Sequence, residues 1–277
     1  FYRPDVVRRF STSGWPAAVL ALPDGRPYAT AVDIPDENLK LYLLRQARNY
    51  AEKRQMIEAK LRSVPTISSG SNVTWTAHDV FETMTMEFDS LHGGFGTTGP
   101  KYLNAQVMLF LAYYSGDRKA SAMMHRSLEA ILASPMNDSS KGGVFAFSYT
   151  PDWRAPGPEQ DLSDQAVLLR TLLVLGKEHA AHQILETMQS GFFDDDMGVF
   201  YGRRVWQDQG EWYVDPAIYT ARNAAAIRAC VAAFNQLGDE NAMQMARRAM
   251  NYLVLHHETG DEKFYHHSNV DEGADLV

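Results

Sequence analysis

The chain has 277 residues, 45% of them hydrophobic and 22% charged, enough apolar material for one or two domains with a packed core. A net charge of −8 excludes generic nucleic-acid binding, which needs a basic surface. Cys230 is the single cysteine, which excludes an internal disulfide or a cysteine-based metal or redox pair within the chain.

In chain order, the first element is the apolar run Ala17-Ala-Val-Leu-Ala-Leu22. Pro23-Asp-Gly-Arg26 supplies turn chemistry, and Tyr28-Ala-Thr-Ala-Val32 reads as the return strand of a hairpin. A helix is expected from about Asn38 to Arg62, followed by a Ser-, Gly- and Pro-rich linker over 63–76. Phe1 is not an initiator methionine, and the first ten residues lack signal-peptide character, so the chain is expected to be a processed, trimmed or partial form. The apolar runs, the longest near Val107–Tyr114, are too short to span a bilayer, so no membrane insertion is expected.

From residue 77 onward the chain repeats itself. Gly116, Gly176 and Gly238 each follow an apolar helical run and recur at a period of roughly 60 residues, which marks a repeated supersecondary unit. Asp117 and Asp239, just after two of these glycines, are placed to cap the next helix. Within each unit the first helix is apolar nearly all round and so expected to be buried. The second is amphipathic; Ala242, Met245, Ala246, Ala249 and Leu253 follow the helical spacing of one buried face.

Between units lies a glycine-and-aromatic turn: Gly93-Gly-Phe-Gly96, Gly142-Gly-Val-Phe-Ala-Phe147, Gly198-Val-Phe-Tyr201 and Lys263-Phe-Tyr-His266. Acidic residues or Asn precede each one, at Asp89, Asn137-Asp138, Asp194-Asp-Asp196 and Asp261-Glu262. Inner-helix N-termini and these turns therefore share one end of the array, which is where a site is expected. The fold class is mainly α: a partial α/α toroid over 77–277, preceded by a small α/β segment over 1–62. Three hairpins are present, with a fourth starting near Asp271–Val277.

Candidate chemistry gathers at that end. Glu159, Asp161 and Asp164 flank the start of an inner helix, and Glu159 with Asp164 forms the candidate acid/base pair; Asp164 is also expected to cap the helix Gln165–Leu175. His92, His266 and His267 are the histidines within the aromatic turns, and Trp153, Trp206, Trp212, Tyr213 and Tyr219 suit stacking on a sugar ring. Neither cofactor nor metal is expected.

These motifs, in their order, resemble the DUF255 or spermatogenesis-associated-protein-20-like family of thioredoxin-domain proteins with a C-terminal toroid. Arg3-Pro-Asp5 with Gly14-Trp-Pro16 looks like its thioredoxin-like segment, Gly93-Gly-Phe-Gly96 with Pro100-Lys-Tyr102 like its first toroid signature, and Gly142–Ser148 with Trp153 and Asp164-Gln-Ala166 like its second. Ile218-Tyr-Thr220 with Asn223 resembles a third. The resemblance implies a cis-proline at Pro16, and it adds Tyr219 and Asn223 to His92, Trp153 and His266 as substrate-binding candidates. The toroid is further similar to N-acylglucosamine 2-epimerases and six-hairpin glycosidases. The family's histidine and lysine around Glu159 are replaced here by Gly157 and Gln160, and its cysteine motif would precede Phe1. The first expectation is therefore a catalytically impaired relative acting as a scaffold for a protein partner; the alternative is a carbohydrate-active or sugar-binding toroid taking a small sugar.

Overall fold

A computed structural model describes residues 17–23, 25–32, 34–63, 76–114, 116–259, 263–269 and 273–276. The chain divides into two compact units, residues 1–74 and 75–277. In the first, β1 (Ala17–Ala21) and β2 (Pro27–Val32) form an antiparallel hairpin with Ala17 opposite Val32 and Leu20 opposite Ala29. The connecting turn closes through Leu22 N–H to Arg26 O at 2.9 Å, and Gly25 takes a φ of 84° that side chains resist. α1 (Asp36–Ser63) follows, interrupted by non-helical dihedrals at Lys53, and Tyr50 stacks on Tyr28 at 5.2 Å. Among the described residues this unit holds two strands and one helix. Arg3–Asp5 and Pro16 lie outside the described residues.

The second unit opens with α2 (Ala77–Glu87), started by a reciprocal Thr76–Asp79 capping box. Three hairpins of inner and outer helices follow: α3 (Ala105–Tyr113) with α4 (Arg118–Leu132), α5 (Leu162–Val174) with α6 (Glu178–Phe192), and α7 (Thr220–Leu237) with α8 (Glu240–His256). α3 packs on α5 and α5 on α7, so the first helices of the hairpins form a continuous inner layer, although α7 keeps Ala221, Ala224 and Arg228 exposed. Met108, Leu111, Leu168, Leu169, Leu172 and Cys230 are completely buried there. Burial also pushes the Cys230 thiol up to about 12, which makes it an inert core residue. Asp117 and Asp239 cap α4 and α8, and Gly176 and Gly238 adopt left-handed φ of 65° and 71°. No helix among the described residues is long and apolar enough to cross a membrane.

Short strands make the connections. β3 (Lys101–Tyr102) pairs with β4 (Phe147–Ser148), and β6 (Phe193–Asp194) with β7 (Val199–Phe200). β5 (Glu159–Asp161), β8 (Arg203–Trp206) and β9 (Trp212–Val214) form an antiparallel sheet ordered β5-β8-β9, and β10 (Ile218–Tyr219) pairs with β11 (Tyr265–Asn269), which pairs with β12 (Gly273–Leu276).

The inter-unit turns share one construction. Asp89, Asp138 and Asp194 each accept two backbone N–H bonds on Oδ1, while their carbonyls accept from Gly93, Gly142 and Gly198. Buried side chains then fasten each turn. The Gln165 amide receives Val144 N–H at 3.1 Å and donates to Val144 O at 2.6 Å; Asn223 does the same for Phe200 at 3.0 and 2.9 Å. Lys101, 1% exposed, donates to Asp89 at 2.7 Å. Burial raises the Asp89 carboxyl, but that ammonium and the bonds from His92 outweigh it and hold the carboxyl well below the usual carboxylate range. At the fourth turn the buried His257 ring bridges Thr220 and Ser268, each at 2.7 Å, and burial lowers it to about 4.

The clamp makes a direct prediction. Gln165→Leu strips both partners from the buried Val144 peptide groups, and urea unfolding should show a loss of about 2–4 kcal/mol. An unchanged midpoint would mean that the turn is held by its apolar contacts alone.

Candidate functional site

Side chains along a strand alternate between faces, and residues opposite one another across a ladder share a face. In the β5-β8-β9 sheet, Gln160 lies opposite Arg204, Arg204 opposite Val214, and Trp206 opposite Trp212. That face packs on the molecule: Arg204 is 4% exposed, donates to Gln160 Oε1 at 2.7 Å, and lies 4.2 Å over the Trp212 ring. The other face carries Glu159, Asp161, Arg203, Val205 and Tyr213. Tyr213 is half exposed.

Asp161 ends β5 and begins α5. Its carboxylate accepts from Ser163 N–H at 2.8 Å and pairs with Arg222 of α7 at 2.7 Å. Glu159 faces Arg203 at 3.7 Å. Arg222 lies 4.3 Å over the Tyr219 ring, and the Tyr219 hydroxyl donates to Asp215 at 3.3 Å. Leu162 N–H donates to Gly202 O at 3.1 Å, tying the same corner together. The first turns of α5 and α7 thus meet at one end of the inner layer, as the repeat requires.

Asp164 stands one turn into α5 beside Asp161. It is not the helix cap expected from the sequence: α5 begins at Leu162, and Asp161 supplies the capping oxygen. Asp164 makes no hydrogen bond or ion pair among the described residues, although it keeps some exposed surface. Burial, then the neighbouring Asp161 charge, push its carboxyl up to about 8, and Arg222 only partly offsets them. The site therefore holds two arginine-paired carboxylates and one carboxyl that is largely protonated at neutral pH. Glu159 and Asp164, the two candidate acids, flank the same paired Asp161.

The remaining candidates fall elsewhere. His92 and Trp153 do meet, but in a latch: Trp153 Nε1–H donates to His92 O at 3.0 Å, His92 Nδ1 lies 3.1 Å from Asp89, and Lys101 sits 4.9 Å over the indole. With Trp153 at 1% exposure, no ring face is offered for stacking. Asn223 is fully buried and its amide is consumed by the Phe200 clamp and Tyr219 O. Tyr219 braces Arg222 from beneath. His266 lies 6.1 Å from Tyr219 and lines a separate cavity of about 330 Å³ with Thr220, Ala221, Lys263 and Phe264. The arginines of the site, Arg203 and Arg222, carry no local sequence signal; the β5–β8 ladder and the first turn of α7 bring them to it.

No protein-family model matches the chain, and no characterised protein matches it significantly in sequence. Among solved structures, the chain is similar to cellobiose 2-epimerase from Bacillus thermoamylovorans (TM-score 0.59, 11% identity, 70% of this chain and 58% of that one). It is also similar to a D-mannose isomerase (TM-score 0.55, 11% identity, 72% and 55%). A third is a GH76 α-mannanase from Bacteroides thetaiotaomicron (TM-score 0.54, 11% identity, 68% and 56%). At this identity the likeness is one of fold, and it establishes the α/α toroid. The chain spans a little over half the length of each of these proteins.

The raised carboxyl gives a signed pH dependence. Unfolded, Asp164 ionises near pH 4; folded, it keeps its proton to about 8, so stability falls as pH rises across that window. Asp164→Asn removes this penalty and should stabilise the chain by about 2–4 kcal/mol at pH 8 and by little at pH 4, read as the difference from wild type in urea. A gain that does not depend on pH would contradict the assignment.

Proposed function

We propose that this toroid is carbohydrate-active, with the surface around Asp164, Glu159 and Arg222 as its sugar site. The observation that carries the reading is the position of Asp164, without a hydrogen-bonding partner among the described residues and next to the arginine-paired Asp161 at the N-terminus of α5, where burial and that charge push its carboxyl up to about 8. A group with a proton affinity near the working pH is suited to give that proton to a sugar oxygen. Glu159, paired with Arg203 on the adjoining strand, is the second carboxylate that glycosidic-bond hydrolysis requires. In that reaction Asp164 protonates the departing glycosidic oxygen, Glu159 assists attack at the anomeric carbon, and water supplies the atoms that complete the products. A gathering of carboxylates and arginines suits this chemistry better than a histidine-based proton shuttle.

The fold neighbours act on sugars by their names, which favours this reading over a purely structural scaffold. The histidine and lysine absent around Glu159 are not needed in this reading, which rests on Asp164 and Glu159. Arg203 and Arg222 fix the carboxylates, and the exposed ring of Tyr213 lies on the same sheet face for stacking on a pyranose.

A thermal-shift panel of neutral mono- and oligosaccharides tests the reading. At a ligand concentration of about 100 Kd, binding should stabilise the wild type by about 2.7 kcal/mol. Asp164→Asn should retain binding and lose turnover of an aryl glycoside, while Arg222→Gln weakens both. A panel in which no saccharide stabilises the wild type would count against the proposal.

A further inference from the structure

The three aspartate turns have the same length, and two of them are each clasped at a turn carbonyl by an arginine of the following outer helix. Arg126 of α4 donates through Nη2 to Leu91 O in the first turn. Arg248 of α8 donates through Nη2 to Asp195 O in the third, and through Nη1 to Asp195 Oδ1 at 3.2 Å. These arginines hold equivalent places, each ten residues beyond its junction glycine, Gly116 or Gly238. The residue ten beyond Gly176 is Glu186. The middle unit thus carries a carboxylate where its neighbours carry a guanidinium.

The consequence is a cleft of about 500 Å³ between the second turn and α6, lined by Asp138, Ser140, Gln183, Glu186, Thr187 and Ser190. Gly142 and Gly143 take φ of 77° and 84°, and a Cβ on either would collide with Thr187, so the turn lies close against α6 beside the opening. No hydrogen bond among the described residues reaches the Ser139 or Ser140 carbonyl, the counterparts of the carbonyls clasped elsewhere. Asp138 uses Oδ1 for the turn and leaves Oδ2 without a donor, and exposed Glu186 makes no ion pair among the described residues. Two cations stand near and both are engaged: Lys141 lies 3.0 Å over the Trp206 ring, and Arg204 donates to Gly142 O and Gln160.

We propose that this cleft binds a guanidinium group in the place of the missing arginine, with Glu186 and Asp138 as counter-charges and the free turn carbonyls as acceptors. A planar guanidinium matches paired oxygens of this kind through several parallel N–H bonds. The group comes either from a small molecule or from an arginine of a partner protein. This site is on the opposite side of the β5-β8-β9 sheet from Glu159 and Asp161, and it stands independently of the sugar reading.

Amide chemical shifts of the full chain, titrated at low salt with agmatine and separately with a capped arginine amide, test the proposal. Shifts should concentrate at 138–143 and 183–190. Glu186→Gln should weaken binding about tenfold. Glu186→Arg should abolish binding and raise Tm by restoring the clasp; if that variant fails to fold, Glu186→Gln still decides. Tighter agmatine binding identifies a small-molecule source, and tighter binding of the capped arginine a protein one. Absence of localised shifts, or shifts unaffected by Glu186→Gln, would overturn the proposal.

Discussion

Buried peptide groups must find partners, and in this toroid side chains of the inner helices supply them. The turn strands at Val144 and Phe200 are only a residue or two long, too short to satisfy their own backbone in a sheet. Gln165 and Asn223 each offer an acceptor and a donor in one amide and close that deficit from the adjacent helix. Because the amide stands in the first turn of its helix, satisfying it fixes the helix N-terminus against the turn. The same constraint, repeated in two successive units, brings α5 and α7 to a common end with their aspartate turns beside them.

That end inherits its chemistry from the constraint. The strands running between turn and helix form a two-faced sheet, and its register sends Arg204 and the tryptophans inward and Glu159, Asp161 and Arg203 to the other side. Asp161 is committed twice, to the helix cap and to Arg222. Asp164, one turn later, is left with burial and a neighbouring negative charge, and so holds its proton. A carboxyl kept neutral in this way destabilises the folded chain at high pH, a cost commonly found where a group is retained for chemistry. The scaffold is weakened by Asp164 at high pH, while the proposed site depends on it.

The repeat was legible in the sequence because its cause is local. The left-handed caps at Gly176 and Gly238 and the N-caps Asp117 and Asp239 follow from short-range rules and were found where those rules put them, whereas Gly116 takes no left-handed φ. The aspartates before the glycine turns were legible for the same reason. The roles of buried polar residues were not. Asn223 reads as a ligand contact, yet it is a backbone clamp; Trp153 reads as a sugar platform, yet it is a fully buried plug held by Lys101 and His92. Both depend on partners tens of residues away, which no local pattern reveals. Asp164 reads as the cap of a helix starting at Gln165, yet the helix starts three residues earlier, at Leu162, and Asp161 fills that role.

The site account stands or falls on the proton affinity of one side chain. Carboxyl carbon shifts of the labelled chain, followed across pH and assigned to Asp164 by their loss in Asp164→Asn, measure it directly. The account predicts a midpoint near 8. A midpoint near 4, the ordinary aspartate value, would show an ionised group there and remove the basis for acid chemistry at this site.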